Sequence, residues 1–290
     1  MNWLVQMAAQ GPVVTDGAWG TQMQARGLGL GEFPDAWNLT HPDRVGEVAR
    51  AYVEAGSQIV LTNTFGANRL RLAEAGLTDQ VAAINQRGAA ISREAAAGRA
   101  RVAGSIGPTG KLLMLGEVTP EQWSEAFAEQ ALALAEGGAE ALVVETMSDP
   151  DEARAAVAAA KRTGLPVIAC MVFDAGQDKD RTMMGTTPEQ VARILTEAGA
   201  DVIGSNCGQG VAGFVNLCRR LKSATDRPLW IKANAGLPEM IEGHVVYRTT
   251  PEEFADHVPA LREAGAAFIG GCCGTTPEFI RAVRAALATL

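Results

Sequence analysis

Eight times along this chain a short apolar run is followed by a longer amphipathic segment, and no other feature limits its fold as strongly. The runs are GPVVTDG, QIVLTNT, RVAGSIGP, EALVVET, PVIACMVFD, DVIGSNCG, PLWIKANAG and AFIGGCCG. They are continuous rather than alternating, which means burial on both faces, as in a parallel sheet covered by helices. The segments between them, from PDRVGEVARAYVEAG to the closing TPEFIRAVRAALATL, predict helices, and TPEEFADHVPALREAG reads as one of these. Several open on Thr-Pro-Glu, where Thr caps and Pro takes the first helical position. Several close on Gly, suited to the left-handed residue after a helix. Eight β-then-α units in 290 residues predict an α/β fold, a (β/α)8 TIM barrel, as a single domain over residues 1–290. A doubly wound open sheet is the alternative, but no Gly-x-Gly-x-x-Gly follows the first strand and there is no P-loop.

Charge narrows the partners. The net charge of −8, with no basic run, makes a poor nucleic-acid binder. No apolar run is long enough to span a membrane, and MNWLVQMAAQ lacks a basic leader and a signal-like apolar core. The expectation is a cytoplasmic protein. Its five cysteines, few and odd in number, then read as buried thiols, metal ligands or nucleophiles rather than a disulfide frame.

In a TIM barrel chemistry gathers where the strands end. Those points carry Asp16, Asn63, Glu145, Asn206 with Cys207, Asn234, and Cys272 with Cys273, while Gly107 and Thr109 follow the third strand. Cys170 falls inside a strand and Cys218 inside a helix, and both read as ordinary buried thiols. A barrel brings Cys207, Cys272 and Cys273 to one mouth. Three thiolates there predict zinc with an open fourth position, since purely structural zinc sites usually have four protein ligands. An electron-rich trithiolate site suits holding a substrate thiol as a nucleophilic thiolate. His41, His244 and His257 read as structural or surface residues. A rival reading, a lyase or aldolase with structural cysteines, would need a Schiff-base lysine, for which Lys232 is the strand-end candidate, or a carboxylate-bound metal.

The stretches DGAWGTQMQARG, LTNTFGAN, GSIGPTG, SNCG, ANAG and GGCCGTTPE, in this order, resemble the homocysteine S-methyltransferase family. That family includes the homocysteine-binding module of cobalamin-dependent methionine synthase and the betaine–homocysteine methyltransferases. The resemblance implies a zinc-dependent barrel that methylates homocysteine to methionine. It implies Cys207, Cys272 and Cys273 as zinc ligands and activators of the substrate thiol, with the Asn234 oxygen filling the fourth position before substrate arrives. Asp16 and the backbone of Gly17 and Ala18 would receive the amino-acid end, Glu145 would meet the ammonium, and Asn63 is counted among the substrate contacts. The thiolate would then attack the methyl group in line.

The donor is expected to be a methylated corrinoid or methyltetrahydrofolate system on a separate protein, since the chain stops at Leu290 after the eighth helix. Betaine and S-methylmethionine are the further choices. Gly66 and Thr146 stand where animal betaine enzymes place cage tyrosines, and Trp19, Trp37, Phe65 and Met183–Met184 form a candidate apolar donor pocket. The alternative function is a non-catalytic homocysteine- or methionine-binding module of a larger methyltransferase complex.

Overall fold

A computed structural model describes residues 2–29, 31–241 and 244–290. Eight parallel strands form the barrel: β1 (Val13–Val14), β2 (Ile59–Leu61), β3 (Arg101–Ile106), β4 (Ala141–Met147), β5 (Val167–Met171), β6 (Val202–Gly210), β7 (Leu229–Asn234) and β10 (Ala266–Gly271). Their order is β1-β10-β7-β6-β5-β4-β3-β2, and a parallel bridge between Thr15 and Ile59 brings the two ends together. The remaining pair, β8 (Glu239–Ile241) and β9 (His244–Val246), is an antiparallel hairpin between β7 and the next helix.

Alternation along the strands sorts the core into two layers. Val13, Ile59, Leu61, Val143, Ile168 and Val202 fill the barrel interior with Trp230 and Phe268, whose rings lie 5.2 Å apart. Their neighbours Val14, Val60, Leu142, Val144, Val167 and Ile203 face outward onto the helices. The helix Trp3–Gln10 seals the N-terminal end. Asn2 caps it through Val5 N, Leu4 packs into the interior cluster, and the Trp3 indole donates to Glu140 O.

Local chemistry explains the outer ring. Thr119, Thr187 and Thr250 each form a full capping box with the Gln or Glu three residues on. The segment expected as one helix over 250–265 is two, Pro251–Ala255 and Val258–Glu263. Pro259 explains the break: it has no N–H to donate, and its ring would collide with the carbonyl of Ala255 in a continuous helix. Among the described residues no helix is long and apolar enough to cross a membrane.

Candidate active site at the barrel mouth

The strand ends deliver three sulfurs to one place. The Sγ atoms of Cys207, Cys272 and Cys273 lie within 4.8 Å of one another. Cys207 is 2.8 Å from Cys272 and 3.6 Å from Cys273, beyond the roughly 2.05 Å of a disulfide, so all are free thiols. Cys272 N donates to Ala233 O at 2.7 Å and Ala235 N to Cys273 O at 2.9 Å, which stitches the pair to either side of Asn234. The turn behind them is tied by Thr275, whose Oγ1 donates to Cys272 O at 2.7 Å. Gly274 is left-handed at φ 81°, and a side chain there would meet the Tyr247 ring at 2.3 Å.

Hydrogen bonds from the thiols of Cys207 and Cys272, then from the Tyr247 hydroxyl, hold the Cys273 thiol well below the usual thiol range. Its contacts with the two neighbouring sulfurs, then burial, push the Cys207 thiol well up. Cys170 and Cys218 lie apart from the cluster, buried as expected.

A second group of charges sits beside the thiols. Glu145, at the end of β4, accepts from Ser105 Oγ at 2.5 Å. Burial pushes its carboxyl up to about 7, against the pull of Lys232. Lys232 Nζ lies 2.5 Å from Asp16 Oδ1, and Asp16 Oδ2 accepts from Trp19 Nε1 and Leu61 N at 2.8 Å each. Burial works against the Lys232 charge, but Asp16 and Glu145 outweigh it and raise its pKa above that of an ordinary lysine. A lysine held protonated in this way is a poor Schiff-base nucleophile, which removes the support for the Schiff-base form of the lyase reading.

These groups open into one cavity of about 660 Å³. Cys207, Cys272, Cys273, Glu145, Lys232 and Asn63 line it, and so do Gly17 and Ala18. Asp16 is fully buried beneath, with both oxygens engaged by protein partners. The Ala18 amide is directed to Thr275 Oγ1. Asn63 spends its amide on Pro34 O and Asn38 Oδ1, fixing the turn that forms one wall. Asn234 lies beside the cluster, buried, and its Oδ1 has no hydrogen-bond partner among the described residues.

Thr109 is not in the cavity. Its hydroxyl and amide both donate to the buried Glu152. Gly107 backs the wall instead, since a Cβ there would strike the Phe65 ring at 2.6 Å. The expected apolar donor pocket holds only in part. Trp19 and Phe65 line the cavity, joined by Phe33. Trp37 is packed away, its indole donating to Glu32 and stacked 4.6 Å from His41. Met183 is exposed, and Met184 lines a different, shallow depression with Thr186 and Arg193. His41 is exposed, His257 is half-buried with its Nδ1 against Glu253 O, and the side chain of His244 lies outside the described residues.

The roles of three cavity residues had little signal in the sequence. Asp35 sits on a single 3-10 turn, accepts from Gly66 N at 3.0 Å, and is pushed up to about 7 by burial. Thr146 has left-handed backbone at φ 60°. Lys232 was visible as a strand-end lysine, but its partner lies 216 residues away.

The donor set suits a soft, tetrahedral metal. Three thiols make an S₃ donor set of the kind zinc accepts, and Asn234, between the two backbone ties of the cysteine pair, has an unpartnered Oδ1 among the described residues. The 3.6 Å sulfur pair is close to the edge of about 3.8 Å that zinc–sulfur bonds of about 2.3 Å produce, while the 2.8 Å pair is tighter.

A TIM barrel with a trithiol centre and a buried carboxyl at its C-terminal mouth is the class that fold and site define. The family model described as homocysteine S-methyltransferase matches residues 13–287, and the chain belongs to that family. It is 34% identical over 306 residues to a methionine synthase of Mycobacterium tuberculosis (strain ATCC 25618 / H37Rv), covering 99% of this chain and 25% of that protein. A methionine synthase of Mycobacterium leprae (strain TN) is 34% identical over 301 residues, covering 98% and 25%. The chain thus spans about a quarter of the length of these relatives. Among solved structures, the metallated form of the homocysteine methyltransferase MmuM from Escherichia coli superposes with a TM-score of 0.81 at 25% identity, covering 97% of this chain and 98% of that one.

Proposed function

We propose that this chain is a zinc-dependent homocysteine S-methyltransferase that forms methionine in the cytoplasm, acting as one homocysteine-binding barrel. The observation that carries this reading is the cluster of three free thiols at the floor of a 660 Å³ cavity that also holds Glu145. Cys207, Cys272 and Cys273 would hold zinc, with Asn234 Oδ1 as its weak fourth donor. Zinc, when bound, would keep the substrate sulfur as a thiolate at neutral pH.

The rest falls to the chain's own groups. Glu145 pairs with the substrate ammonium, whose charge keeps the carboxyl ionised. Asp16 acts through Lys232: it fixes the ammonium at the cavity wall, where Lys232 attracts the substrate carboxylate. The Gly17–Ala18 backbone and Asn63 shape the wall around the amino-acid end. Trp19, Phe33 and Phe65 exclude water from the path along which the methyl group arrives. The free thiols suit a reducing compartment.

For the donor we propose a protein-borne methylcorrinoid, supported by the similarity to methionine synthases over nearly the whole chain. A second reading, a small cationic donor such as betaine or S-methylmethionine, is favoured by the three aromatic rings and the Asp35 carboxyl in the same cavity.

Zinc-loaded protein with homocysteine and, separately, methylcobalamin, 5-methyltetrahydrofolate, betaine or S-methylmethionine tests both. Methionine from methylcobalamin is the expected result. Methionine from betaine or S-methylmethionine alone establishes the second donor reading. Homocysteine bound at the metal with no methionine from any donor would leave a binding module of a larger complex.

A further inference from the structure

Two strands change register where they meet the site. Along β4, Val144 pairs with Ala169 but Met147 pairs with Met171, so Glu145 and Thr146 together oppose Cys170. Along β6, Asn206 pairs with Lys232 but Gly210 pairs with Asn234, so three residues oppose Ala233. In a regular strand consecutive side chains face opposite sides of the sheet. Here Glu145 and Thr146 both line the cavity, and so do Asn206 and Cys207. Each bulge is made with a non-glycine residue in the left-handed region, Thr146 and Cys207, both at φ 60°. For a β-branched threonine that conformation is costly and persists only where the surroundings impose it.

What imposes it at Thr146 is the side chain of Asn206. Its Oδ1 accepts from Thr146 N at 2.8 Å and its Nδ2 donates to Thr146 Oγ1 at 2.7 Å. The same Nδ2 lies 3.8 Å from Cys272 Sγ, and Asn206 is completely buried. We propose that Asn206 is a positioning residue, a cross-tie between the two bulges that keeps Thr146 left-handed and thereby keeps Glu145 aimed at the substrate beside the sulfur cluster. This rests on the reading of Glu145 as the partner of the homocysteine ammonium.

The test compares Asn206→Ala, Thr146→Val, Thr146→Gly and Asn206→Ala/Thr146→Gly, each zinc-loaded, by calorimetric homocysteine Kd and by KM against kcat. Val and Gly both remove the hydroxyl, but only Val keeps the conformational cost, because glycine enters the left-handed region freely. Asn206→Ala should raise Kd and KM about tenfold with a much smaller change in kcat, since what is lost is ground-state positioning. Thr146→Val should weaken binding about fivefold more than Thr146→Gly. The double variant should bind better than Asn206→Ala alone, because glycine no longer needs the clamp.

Equal effects of Val and Gly, or a double variant no better than Asn206→Ala, would overturn the proposal. If Asn206→Ala does not fold, the Val–Gly comparison decides. A wild-type protein that binds no homocysteine sinks the functional reading instead. The crystal structure of Asn206→Ala then judges the clamp by itself: an extended residue 146 supports it, and a left-handed one overturns it.

Discussion

Glu145 and Lys232 are both buried beside the thiols, and their surroundings drive them in opposite directions. Lys232 has a carboxylate at 2.5 Å and stays charged. Glu145 has a hydroxyl as its hydrogen-bond partner and is pushed up to about 7, so near neutrality it is poised between two forms. A carboxyl whose pKa is higher folded than unfolded stabilises the fold below its unfolded value and loses that contribution as pH rises through the folded one. The ionised form, costly to the empty protein, is the form an ammonium needs. Glu145→Gln should therefore make the ligand-free protein more stable by about 1–2 kcal/mol at pH 8, a difference that fades toward pH 5 in urea titrations. The same variant should weaken homocysteine binding about 10–100-fold at pH 8. It should also flatten the loss of affinity expected of the wild type as pH falls below about 7. The Lys232–Asp16 pair predicts the reverse balance. Lys232→Met leaves a buried carboxylate unpaired and should cost about 3–5 kcal/mol, of which Asp16→Asn in the same chain should restore a large part.

At the scale of elements, what could be read ahead was what repeats. The strands were legible because apolar runs buried on both faces are continuous, and the helix starts because Thr-Pro caps recur. The helix Trp3–Gln10 and the β8–β9 hairpin stand outside the repeat and left no periodic signal. Pro259 was in plain view, but a long amphipathic pattern ran through it. The site divided the same way. Three cysteines at strand ends are rare enough to stand out. Asp35 hangs on a turn without period, and the left-handed Thr146 depends on an asparagine 60 residues away. Strand contact itself sets one test. Gly204 in β6 faces Trp230 in β7 so closely that a Cβ would stand 1.8 Å from the Trp230 carbonyl oxygen. Backbone cannot yield as a side chain does, so Gly204→Ala should cost about 3 kcal/mol or more in urea unfolding. Because β6 and β7 carry Cys207 and Asn234, the variant should also retain less zinc after dialysis than the wild type.

The whole molecule separates stability from chemistry along the barrel axis. Below the thiols the interior is apolar and closed, from Leu4 at one end to the Trp230–Phe268 pair. Above it lie the charges and the open cavity. Nothing in the lower layer needs the metal to be satisfied, unlike a zinc finger, whose core exists only around its ion. Removing zinc should therefore leave a folded barrel with unchanged far-ultraviolet circular dichroism. Binding to the native state alone stabilises it by about 2.7 kcal/mol at a free zinc concentration of 100 Kd. For a chain of this size that corresponds to a rise of roughly 4–5 °C in Tm on zinc addition, absent in Cys207→Ser. The affinity should fall in acid, because the thiols must lose their protons to bind the ion. Calorimetric scans of chelated and zinc-loaded protein at pH 6 and pH 8 check all three. A chelated protein without a cooperative transition would mean that the thiol cluster holds the barrel together, and the division of labour between its two ends would be wrong.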